Sequence, residues 1–92
     1  MPTIESAMCE DEATAGPGGA MTVEVGVITG DLTVHTERRT DGPVEVRVQY
    51  TGADEWYTLQ GSLARAPEGE LEGYHYLVLD TIEVGAAQAP PA

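Results

Sequence analysis

Between Thr22 and Gln60 apolar and polar residues alternate in short runs, and glycine-containing turns separate the runs. A period of two puts one set of side chains on a buried face and the other in water, as in a half-solvated strand. Four strands are predicted. The first covers Thr22–Thr29, with Val23, Val25 and Val27 on one face and Glu24 and Gly26 on the other. Gly30-Asp31, which suits a II′ hairpin turn, leads into the second, Leu32–Glu37. There Leu32, Val34 and Thr36 point one way and Thr33, His35 and Glu37 the other. The third, Val44–Tyr50, is the clearest: Val44, Val46, Val48 and Tyr50 alternate with Glu45, Arg47 and Gln49. The fourth spans about Glu55–Gln60, with Tyr57 and Leu59 opposite Trp56, Thr58 and Gln60.

After Gly61 the period changes. Leu71, Tyr74, His75, Val78 and Ile82 fall within an arc of about 100° at helical spacing, with Glu72, Tyr76, Asp80 and Glu83 opposite. Pro67, Glu68, Glu70 and Glu72 suit the first turn of a helix, and Gly85 suits its C′ position. Gly69, Gly73 and the strand formers from Tyr74 to Val84 favour a fifth strand instead. The expected fold is therefore mainly β, of the α+β type. It is a four-stranded antiparallel meander with a C-terminal helix packed on its valine-rich face. The expected core is Val23, Val25, Val27, Leu32, Val34, Val44, Val46, Val48, Tyr50, Tyr57, Leu59 and the helix stripe. The alternative is a small five-stranded barrel, which has no open edges.

Residues 1–20 show no period. The acidic run Glu10-Asp11-Glu12 and the sequence Gly16-Pro17-Gly18-Gly19 suggest a flexible acidic tail and hinge. Met21 as an alternative start of translation would make that tail dispensable. Residues 85–92 suggest a second disordered end, leaving one β-rich domain over residues 21–84. A domain of this size buries only about 60% of its unfolded surface, so association with a second copy would add useful burial.

Charge narrows the partners. The chain carries 16 acidic residues against four arginines and a net charge of −12. Residues 1–20 hold four of the acids (Glu5, Glu10, Asp11, Glu12) and no base, which leaves −8 on residues 21–92. Binding to a phosphate backbone or an anionic membrane needs clustered basic residues and is not expected. A basic protein partner fits. The single cysteine, Cys9, excludes an internal disulfide and suits a reducing cytoplasm. No signal peptide or membrane-spanning run is expected. The absence of Lys, Asn and Phe beside abundant Ala, Gly, Glu and Val suggests a GC-rich, actinobacterial genome.

Catalytic chemistry finds little footing. The two histidines, His35 and His75, lie in no ligand spacing, with Glu37 or Cys9 the nearest candidates for a third zinc ligand. No Ser or Cys nucleophile is arranged with a His, and the carboxylates Glu24, Glu37 and Glu45 would share an open face rather than a pocket. The glycine run is not a phosphate loop, since no Lys follows it. No catalytic residue, metal or cofactor is expected.

The hairpin Val44–Leu59, with its Val-rich strand, Tyr50, Asp-containing turn and second aromatic strand, resembles one hairpin of SsgA-like actinobacterial cell-division regulators. The resemblance covers a generic hairpin and implies no function.

The expected function is a small, non-enzymatic, cytoplasmic interaction or regulatory module. It would bind a protein partner or a second copy through the solvated sheet face. Trp56 is the expected anchor, with His35, Arg47 and Tyr76 in support. The alternatives are an acidic inhibitor that imitates nucleic acid in a basic groove, or a small-ligand carrier or enzyme around the histidines and tyrosines.

Overall fold

Val44, Val46 and Val48 have no exposed surface in the computed structural model of the chain, as their alternation requires. The structure describes residues 8–39, 42–62, 64, 71–85 and 87–89. Within them six strands and one helix form: β1 (Met8–Thr14), β2 (Ala20–Thr22), β3 (Gly26–Ile28), β4 (Asp31–Arg38), β5 (Val44–Tyr50), β6 (Tyr57–Thr58) and α1 (Leu71–Val84). The main sheet is antiparallel in the order β1-β4-β5-β6, and β2 and β3 pair separately. Among the described residues no closed barrel forms. The pattern at 71–84 resolves as the helix, and its predicted stripe of Leu71, Tyr74, His75, Val78 and Ile82 is buried to the last residue. Gly85 follows at φ 111° and donates to Thr81 O at 3.0 Å, which closes the final turn. Among the described residues no helix is long and apolar enough to cross a membrane. Pro67, Glu68, Gly69 and Glu70 lie outside the described residues.

The largest departure concerns which segment flanks β4. Thr22–Thr29 is not one strand. The buried hydroxyl of Thr22 donates to Gly26 O at 2.6 Å and accepts from Val25 N at 3.2 Å. With Gly26 at φ 77°, these bonds fold the segment into a tight turn. The turn throws Val23, Val25 and Val27 out to 61, 53 and 52% exposure. They are not core, and Gly30-Asp31 joins two sheets instead of turning a hairpin.

The place beside β4 belongs to β1, which pairs with it from Met8↔Glu37 to Thr14↔Asp31. Most of this strand's side chains are in water, but Ala13 is buried and Cys9 half-buried against the core. The acidic segment is therefore part of the sheet over Met8–Thr14. The glycine run that follows is a packing element and not a free hinge. Gly16 N donates to Ile82 O at 2.9 Å, and a Cβ on Gly16 would overlap the carbonyls of Glu83 and Val84. At the other end Ala87 bridges Ala20, and Ala87 and Ala89 are buried. Ala89 N also donates to Gln60 O at 2.7 Å. Tyr50, expected in the core, ends β5 exposed, and Tyr57 packs partly against the core.

Candidate interaction face

The helix packs over β1 and β4 on one side of the main sheet. Strand parity decides what the other side presents. Pairing sets Glu10, His35, Arg47 and Thr58 in one row across β1, β4, β5 and β6. Glu37 and Glu45 form the next row.

His35 sits at the centre. Its Nδ1 lies 3.1 Å from Glu10 Oε1 and its Nε2 3.0 Å from Glu37 Oε1. The two carboxylates thus hold the ring from both ends. Trp56, half-buried just before β6, stands edge-to-face against this ring, with centroids 5.9 Å apart at 66°. Arg47, opposite His35 in register, pairs with Glu45 at 3.0 Å. The structure thus gathers Trp56, His35 and Arg47 on one face. Tyr76 is not with them. It is exposed on α1, in the layer on the other side of the sheet, beside His75. Glu10, assigned to a tail from the sequence, is the missed member of the cluster. It could have been found only by asking which segment pairs with β4.

Glu24 closes the far edge. Both of its carboxylate oxygens accept from Thr58, one from the backbone N–H and one from the hydroxyl, each at 2.7 Å. These bonds hold the Glu24 carboxyl below the usual range. At the near edge a shallow, open depression of about 370 Å³ is lined by Glu10, Asp11, Glu12 and Thr33. Asp11 points to the helix side while Glu10 and Glu12 point to the open face, so the depression wraps around the edge strand.

The second histidine is structural. His75, 1% exposed, has Nδ1 2.9 Å from Thr36 Oγ1 and Nε2 2.9 Å from Asp11 Oδ2. A carboxylate, an imidazole and a hydroxyl in line invite a nucleophile reading. Thr36, however, has no exposed surface, so no substrate reaches its hydroxyl. Thr36 and His75 instead satisfy each other in the interior, with Asp11 closing the line from the surface, and among the described residues no buried side-chain polar atom lacks a partner. Cys9, on the same side of β1, has its thiol pushed up by burial first and then by the charges of Glu72 and Asp11, which keeps it protonated. The carboxylates on His35 approach opposite ends of the ring. Among the described residues no group of three or more His, Cys, Asp or Glu is disposed to hold a metal ion.

No protein-family model, curated protein or solved structure matches this chain. The hairpin resemblance therefore stays at the level of the hairpin.

Proposed function

We propose that the protein is a non-enzymatic interaction module that docks a basic protein on the open face of its main sheet. The observation that carries this reading is the Glu10–His35–Glu37 cluster with Trp56 against it. An aromatic ring held by an ordered polar neighbour that itself carries two carboxylates offers both an anchor and a charge-selective surface beside it. That surface selects a positively charged partner, as does the net charge of −12. In the one in-line carboxylate–imidazole–hydroxyl arrangement among the described residues the hydroxyl and the imidazole are buried, which favours binding over catalysis. A different protein fits better than a second copy, because like acidic faces repel.

The test is affinity capture from the protein's own host extract with three baits: the full chain, Trp56→Ala and Tyr76→Ala. The reading expects a basic partner that is retained by the full chain and by Tyr76→Ala and lost with Trp56→Ala. Equal capture by all three folded baits would refute the face. A partner that is released between low and moderate salt but does not depend on Trp56 would favour the nucleic-acid-mimic reading.

A further inference from the structure

Among the described residues, the open face ends at a strand with no neighbour on its outer side. β1 is the outermost strand of the main sheet, and its 7 residues contain no proline or lysine that would blunt pairing. The direction of its free backbone groups follows from the ladder. Ala15 N donates to Gly30 O at 2.9 Å, continuing the β1–β4 register by one pair. In an antiparallel ladder, residues that bond to the neighbour alternate with residues that face away. Cys9, Asp11 and Ala13 therefore bond to β4. Glu10 and Glu12 turn their N–H and C=O groups outward, and among the described residues these have no backbone partner. The Thr51 N–H to Asp31 O bond on the far side of β4 fits the same phase.

Glu10 and Glu12 also carry their side chains on the open face, while Asp11 and, nearby, Glu72 supply negative charge on the helix side. A strand added here would meet acidic side chains above and below. A second copy of β1 would place acids opposite acids, which is destabilising.

We propose that the β1 edge receives an extended basic peptide segment of the partner as an added antiparallel strand, with Lys or Arg at alternate positions opposite Glu10 and Glu12. Backbone bonds to the outward groups supply affinity, and the alternating cations supply selectivity. The inference rests on the proposed function and specifies how the partner is held.

The experiment is amide hydrogen exchange by NMR on the full chain. The probe is an alternating Lys–Thr peptide as long as β1. The control is the same peptide N-methylated at every second residue, which keeps the charge and removes the backbone donors. The expected result is about tenfold protection or more of the Glu10 and Glu12 amides by the first peptide, and about tenfold weaker binding of the second. Glu12→Pro removes an outward N–H without touching a β4 bond and should weaken the first peptide about as much. Glu12→Gln keeps the N–H and should weaken it less. If Glu12→Pro does not fold, the two peptides on the unaltered chain still decide. Equal binding of both peptides, or binding that leaves the Glu10 and Glu12 amides unprotected, overturns the added strand. Neither result touches the sheet-face reading, which fails separately if capture is indifferent to Trp56.

Discussion

Asp11 Oδ2 and His75 Nε2 lie 2.9 Å apart although 64 positions separate them in the chain. This contact joins the first strand to the only helix described. Its neighbour Glu10 holds the other histidine on the opposite face of the sheet, so two adjacent acids fasten β1 from both sides. Removing His75 should leave Thr36 buried without a partner and open a cavity. We predict that His75→Ala destabilises the fold by about 2–4 kcal/mol. Asp11→Asn should cost about 1 kcal/mol, because Asp11 is partly in water. Urea midpoints of both variants and the double variant check this, and the pair should be non-additive.

A chain begun at Met21 lacks β1. It would uncover the β4 edge and the core beneath Ala13 and Cys9, and leave His75 with one bond. It should lose cooperative thermal unfolding, which circular dichroism would record. A truncated chain that melts as sharply as the full one would show that β1 is dispensable.

Much of this was legible in the sequence. The alternations of β4 and β5 and the helical stripe of α1 each had one mostly apolar side, interrupted at Thr36 and His75, so the period set the face. β1 was hidden because its inward positions are Cys9, Asp11 and Ala13, and the middle one carries a charge. An inward aspartate makes sense only once His75 is seen opposite it, and that pairing is long-range. Thr22–Thr29 misled for the converse reason: its valines alternate well, but a threonine side-chain turn and a left-handed glycine override the pattern. For the site, parity placed Trp56, His35 and Arg47 on one face, yet nothing local could bring in Glu10.

Two glycines should respond with opposite signs. Gly16→Ala forces a methyl into the carbonyls at the end of α1 and should destabilise by about 2 kcal/mol or more. Gly73 lies within α1, exposed and with nothing within 4 Å of an added Cβ. Gly73→Ala should therefore stabilise by about 0.5–1 kcal/mol. Paired thermal melts read both signs.

Glu24 sets an acid limit. Its carboxyl is held below the ordinary value of 4.5, first by the Thr58 hydroxyl and then by the Thr58 backbone N–H. A depressed carboxyl contributes stability that is present above its ordinary range and lost as pH falls through its folded value. Stability should thus decline below about pH 4.5, and Glu24→Gln should flatten part of that decline. The burial of Tyr74 raises its hydroxyl above 10.0 and acts in the other direction, withdrawing stability as pH rises past that value. Urea midpoints across both pH ranges separate the two.

The open sheet face is proposed to bind a basic protein. Native mass spectrometry of the full chain recovered from its own host tests it most directly. The expected result is a defined complex with a basic protein that dissociates as salt is raised and is absent for Trp56→Ala. A lone monomer, or a monomer carrying only a small-molecule or metal mass, would contradict it.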